Sequence, residues 1–193
     1  GAAGRGRQPG KREDGGTGGV GRGRHRMGGG GGDGPGVQLL ASGAGVAWAV
    51  EAAGLLACDW GVGADVWSVT SWTELRRDGL EVDQLGFLHP DEEREDSWLV
   101  QKLGGTQGPI IATSDYMKQT QDQIAPWLGD RFAALGADGF GFSDTRAAAR
   151  RYFHIDGPSM VTKALQKLAE AGQVDAGVVA QAIAKYRPLD GTA

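Results

Sequence analysis

The sequence predicts an α/β fold: a mostly parallel sheet covered by helices on both faces, preceded by a disordered Gly/Arg-rich arm. Three observations point there. Short apolar runs of strand length alternate with stretches of helical periodicity, the order that produces parallel sheets in layered domains. The runs at 37–41 and 109–112 are almost continuously apolar, as strands buried on both faces must be. The composition changes abruptly at residue 37, which separates a domain spanning 37–193 from an arm spanning 1–36.

The arm holds 17 of the 35 glycines in the 193-residue chain. It carries seven basic residues (Arg5, Arg7, Lys11, Arg12, Arg22, Arg24, Arg26) against three acids, a net +4 that leaves −8 for the remainder. Val20 and Met27 are its only sizeable apolar side chains. Burying so little cannot repay the entropy of ordering, so disorder is expected. Spaced arginines can neutralise phosphates, but no aromatic is interleaved to stack on bases. A solvated tail is therefore favoured, and RNA is not an expected partner.

In the domain, residues 37–41 form a buried strand ended by Ser42-Gly43. Residues 45–59 are apolar nearly all round apart from Glu51 and Asp59, which suits a helix enclosed on several sides. Residues 65–69 read as a second strand, and 73–78 as a short helix ending near Gly79. A long acidic connection follows, with His89-Pro90 and the charged run 91–96 read as solvated surface. Residues 109–112 are a third strand, Asp115 is the expected N-cap of the next helix, and Pro126 is expected to close it. Residues 132–135 are a fourth strand. The alternation at 151–156 reads as a short edge strand containing His154. Pro158 and Gly172 bracket a helix, since proline suits a first helical position and glycine a C-terminal cap. Asp175 caps a last helix with Val178, Val179, Ala182, Ile183 and Tyr186 on one stripe.

Several chemistries lack support. Gly32-Asp33-Gly34 lies in the glycine tract, and the chain has no asparagine to complete a diphosphate–magnesium motif. Gly43-Ala44-Gly45 opens a helix as a dinucleotide fingerprint would, but Trp48 stands at the third glycine position; a tight turn is the simpler reading. His25, His89 and His154 share no metal-ligand spacing, and there is no Gly-x-Ser-x-Gly elbow. Cys58 is the single cysteine, so no intrachain disulfide is possible. No run of 18 apolar residues and no signal-peptide core occur, so a soluble cytoplasmic protein is expected and no membrane partner. Of the six tryptophans most should be core, with Trp72 chosen as one serving an interface.

The most distinctive stretch is residues 135–146, a strand end, a glycine-rich turn and a capped helix start. Together with Gly61-Val62-Gly63-Ala64-Asp65-Val66-Trp67-Ser68-Val69-Thr70-Ser71-Trp72-Thr73-Glu74-Leu75, Arg77-Asp78-Gly79, Leu88-His89-Pro90 and Thr113-Ser114-Asp115-Tyr116-Met117-Lys118, it resembles the C-terminal domain of the homodimeric pyruvate dehydrogenase decarboxylating components, in the transketolase superfamily. The likeness covers about residues 36–189. Phe142 stands where a basic residue is expected, against an anion-binding role for the turn.

The resemblance implies a three-layer sandwich with a five-stranded sheet, at the end of a much longer subunit. In that subunit, upstream domains hold thiamine diphosphate and Mg²⁺ and carry the catalytic residues. No catalytic, cofactor-binding or metal-binding residue transfers to this chain. It does single out His89, Asp115, Asp138, Gly139, Phe140, Gly141, Ser143 and Arg146 as interface or active-site-border positions. The implied partners are the remaining domains of the subunit, a homodimer mate and the lipoyl acyltransferase of the complex. A catalytically silent C-terminal fragment is the leading expectation, with truncation or translation outside the original frame as the explanation of the arm. The alternative is a stand-alone protein- or RNA-interaction module. A third reading places a small ligand at the turn of residues 42–45.

Overall fold

In the computed structural model, residues 20–21, 35–141 and 143–188 are described. The elements in chain order are β1 (Val20–Gly21), β2 (Gly36–Ala41), α1 (Gly45–Trp60), β3 (Gly63–Val69), α2 (Trp72–Leu88), α3 (Trp98–Leu103), β4 (Ile110–Thr113), α4 (Gln119–Asp122), β5 (Phe132–Leu135), α5 (Arg146–Tyr152), α6 (Gly157–Glu170) and α7 (Ala176–Tyr186). Two short 3-10 turns, Ala125–Trp127 and Gly129–Arg131, lead into β5. The sheet has five strands in the order β1-β3-β2-β4-β5. All neighbours are parallel except β1, which lies antiparallel on the outer edge of β3 with Val20 opposite Val69. The expectation for the arm otherwise falls outside the described residues.

Alternation along β2 divides the core. Val37, Leu39 and Ala41 join Ala64, Val66 and Ile111 in one cluster with α1 and α6. Leu40 joins Val69, Ile110 and Ala112 in the other, beneath Trp72, Leu75, Leu99 and Leu103. The sheet is thus the middle layer of three, because each of its faces is apolar and must be covered. Gln38 is the polar exception on β2. It is buried among partners, accepting from Trp67 Nε1 at 2.7 Å and donating to Asp65 Oδ2 at 3.3 Å. Helix α1 is enclosed as expected, its Ala49, Ala52 and Ala53 fully buried beside α6. Helices α6 and α7 begin at Asp156 and Asp175, whose carboxylates accept from Ser159 N and Gly177 N. The end of α7 is clamped to α1. Asp59 accepts from Tyr186 Oη at 2.5 Å and pairs with Lys185 at 2.7 Å, while Trp60 Nε1 donates to Tyr186 Oη. Burial, with Asp59 alongside, pushes the Tyr186 phenol up to about 12.

Four expectations are corrected. The second helix does not stop near Gly79 but continues to Leu88. Gly79 is a contact surface rather than a terminator: a Cβ there would sit 2.5 Å from the Trp127 ring, so the indole lies directly on the helix backbone. The unforeseen α3 is held by Asp78, whose carboxylate accepts from Trp98 N at 2.6 Å. Asp115 is not a helix cap, because residues 115–118 bend across the sheet edge before the single turn of α4, which starts after Lys118. Pro126 opens a 3-10 turn instead of closing a helix, a first-turn position that proline tolerates. Residues 151–156 are not a strand: α5 runs through Tyr152, and His154 turns the chain at φ 55° toward α6.

Replacing Gly79 with alanine tests the contact with Trp127. In an open helix interior the change would stabilise by about 1 kcal/mol. Here overpacking against the indole should instead destabilise by about 1–3 kcal/mol, read as a fall in the denaturation midpoint.

Candidate functional site at the carboxyl edge of the sheet

After β2 the chain adds β3 on one side, then returns to place β4 on the other. That reversal is the switch point at which open α/β sheets form a ligand crevice beyond the carboxyl ends of their strands. Ser42 follows β2, Trp72 lies three residues past the end of β3, and Tyr116 the same distance past β4. These three side chains meet. Ser42 Oγ lies 2.7 Å from Tyr116 Oη, and Trp72 Nε1 donates to Tyr116 Oη at 2.7 Å and to Ser42 Oγ at 3.2 Å. Gln121, fully buried, seals the floor: with its amide oxygen toward Ser114 N (3.3 Å), its nitrogen donates to Lys118 O (2.7 Å) and Met117 O (3.1 Å). The crevice is therefore filled by the protein's own side chains, and their polar groups are used on one another.

This arrangement corrects the choice of Trp72 as an interface tryptophan. Its indole is only 3% exposed, because its N–H finds two hydroxyl acceptors inside the fold. It also removes support for a small ligand at residues 42–45. Trp48, at the would-be third glycine of a nucleotide fingerprint, is buried under the Arg150 guanidinium 4.8 Å from its ring. A diphosphate with its magnesium does not fit here either. Two hydroxyls and an indole N–H, mutually satisfied, offer none of the free anionic oxygens that Mg²⁺ requires. Among the described residues no group of three His, Cys, Asp or Glu could hold a metal ion. Gly32-Asp33-Gly34 and His25 lie outside the described residues.

The loops above this network are rigidly joined. Ala137 N donates to Tyr116 O at 2.9 Å, and the Asp138 carboxylate accepts from Lys118 N at 2.9 Å. Gly136 is pressed so closely on the Lys118 and Tyr116 backbone that any Cβ would collide. The two loops therefore act as one platform. Asp115, Asp138, Gly139 (φ 112°), Gly141, Ser143 and Arg146 lie on or beside it, and all six are exposed. Phe140 is 98% exposed and Met117 55%, apolar side chains presented to water at the platform. Thr145 caps α5 through Ala148 N, and Arg146 begins that helix. Phe142 lies outside the described residues.

His89 is not part of this platform. Seventeen residues of α2, about 25 Å of helix, separate Trp72 from it. It ends α2, exposed, with Nδ1 3.4 Å from Glu92 Oε1. The run 91–96 is exposed, as a solvated surface should be. Sequence reading misses Ser42, Trp72 and Tyr116 as a unit because they are 30 to 74 residues apart. The signal available is their common position just past three parallel strands.

Trp72→Phe and Tyr116→Phe should each destabilise by about 1–3 kcal/mol. The double variant should lose at least about 0.5 kcal/mol less than the sum. Urea denaturation of the four proteins measures the coupling, and strict additivity would contradict the network.

Comparison with known proteins places this architecture. The family model described as the Transketolase-like TK C-terminal domain matches residues 28–156. The "Pyruvate dehydrogenase E1 component" of Mycolicibacterium smegmatis is 51% identical over 150 residues, which are 78% of this chain and 16% of that protein. Its Pseudomonas aeruginosa counterpart is 48% identical over 151 residues, again 78% of this chain and 17% of that protein. The chain thus spans about a sixth of the length of the curated relatives it matches. A solved "Split gene transketolase, inactive beta4 tetramer" superposes with a TM-score of 0.48 at 17% identity, covering 71% of this chain and 40% of that one. No helix among the described residues is long and apolar enough to cross a membrane. With two thirds of its length matched by the family model and its strands ordered in a parallel, helix-covered sheet, the chain belongs to the transketolase-like C-terminal domain family.

Proposed function

We propose that the chain is the docking end-domain of a pyruvate-decarboxylating subunit, and that its carboxyl-edge platform is the surface that meets the rest of that subunit. The identity of about one half to pyruvate dehydrogenase E1 components carries this reading. The closed crevice supports it: a domain whose switch point is filled by Ser42, Trp72 and Tyr116 is suited to presenting a surface rather than enclosing a substrate. The exposed Phe140 and Met117 support it further, since burying such side chains on assembly contributes about 2 kcal/mol each.

In this reading the chain performs no chemical step alone. Thiamine diphosphate and Mg²⁺ act in domains elsewhere in the assembly, which decarboxylates pyruvate and reductively acetylates a lipoyl group on a partner acyltransferase. The residues here contribute position. Asp138 and Gly136 fix the loops, Phe140 and Met117 supply the apolar contact, and Asp115, Ser143 and Arg146 form its polar rim. A second subunit sharing the active-site region is the further expected partner.

A graft tests this. Residues 37–188 replace the matching segment of the M. smegmatis relative, and pyruvate-dependent reduction of an artificial electron acceptor is followed with cofactor and Mg²⁺. The grafted subunit should turn over and the isolated chain should not. Phe140→Glu should lower the graft's activity by about tenfold or more without changing the melting temperature of the isolated chain. Turnover by the isolated chain, or full activity of the Phe140→Glu graft, would contradict the proposal.

A further inference from the structure

We propose that a cleft at the opposite, amino edge of the sheet binds a small dianion between Arg131 and Lys167. The cleft has a volume of about 270 Å³ and lies where Gly108 and Pro109 lead into β4, Asp130 and Arg131 lead into β5, and Lys167 and Glu170 end α6. It is separate from the docking platform and independent of the function proposed above.

Arg131 is the reason to expect an anion. Its guanidinium donates to Gly108 O at 2.8 Å, Thr106 Oγ1 at 3.1 Å and Leu103 O at 3.5 Å. All three acceptors are neutral, and no carboxylate pairs with it among the described residues. Three of its five N–H donors are engaged, so two remain. Partial burial pulls its pKa below the ordinary arginine value, the direction expected when a cation is desolvated without a counter-charge. A ligand carrying negative charge restores what burial removed.

Lys167 supplies the second cation. Its side chain is 20% exposed and its Nζ lies 2.9 Å from Glu170 Oε2. Two acids also line the cleft, but they are the better solvated groups. Asp130 is exposed, and the Glu170 side chain is 49% exposed and holds Gln166 through its other oxygen. Glu170 can therefore swing outward and yield Lys167 to a ligand at small cost, since an exposed ion pair contributes little. The carbonyls at the end of α6 do not oppose the ligand unmet. Lys167 O, Leu168 O and Ala169 O already accept from Ala171, Gln173 and Gly172 N–H groups. A cleft of about 270 Å³ admits a phosphate or a short dicarboxylate.

Calorimetric titration of the whole chain with inorganic phosphate, and separately with succinate, distinguishes the two sources of the dianion. Ionic strength is held constant with sodium chloride. At least one probe should bind saturably at a single site. Lys167→Gln should weaken it, and Glu170→Gln should tighten it, each by about two- to fivefold. Arg77→Gln, which removes a cation from an exposed pair with Glu74 on α2, should leave it unchanged. Arg131→Lys, if its melting temperature is retained, should weaken binding as well. Absence of saturable binding by both probes overturns the proposal. So does equal affinity in the parent, Lys167→Gln and Glu170→Gln proteins.

Discussion

One indole N–H holds the carboxyl edge of this domain together. The ends of β2, β3 and β4 converge where the sheet reverses, and their polar groups must be satisfied or exposed. Trp72 resolves this by donating to Tyr116 and Ser42 at once. With Tyr116 fixed from below, its carbonyl is placed to accept from Ala137, and the loop after β5 is set against the loop after β4. Everything on the outer surface follows from that order. Phe140 stands in water just beyond a turn whose base is tied down at Asp138 and Gly136.

The sheet is readable from the sequence because its strands are buried on both faces. Apolar runs at 37–41 and 109–112 have no other stable use in a domain of this size, and the stop at Ser42-Gly43 and the cap at Asp175 are local chemistry. The second helix is misread because Gly79 carries two meanings. Locally it favours termination, and only the approach of Trp127, 48 positions later, shows that it is a packing surface. Asp115 fails for a similar reason: its side-chain type suits a cap, but the backbone at 115–118 is committed to crossing the sheet edge. The polar network itself leaves no periodic trace, since each member is a single residue after a different strand. The family resemblance points to residues that the fold gathers on the platform, yet it also includes His89, which the length of α2 carries elsewhere.

The two edges of the sheet have different physical characters. The carboxyl edge is closed inside and carries exposed Phe140 and Met117 among polar side chains outside, which favours a macromolecular surface. The amino edge is open and charged, with a guanidinium that burial has left without a carboxylate partner among the described residues. A domain that is about a sixth of its relatives' length can thus present one face for assembly and keep another for a small solute, because helices cover the sheet's faces but not its ends.

Hydroxyl-radical footprinting tests the docking role of the platform most directly, comparing the isolated chain with the same residues grafted into the longer relative. Met117 and Phe140 should be modified readily in the isolated chain and protected in the assembled subunit, while Tyr152 and Leu88 serve as exposed references within the same samples. Equal modification of Met117 and Phe140 in both states would show that the carboxyl-edge platform faces water in the assembly and is not the surface through which this domain docks.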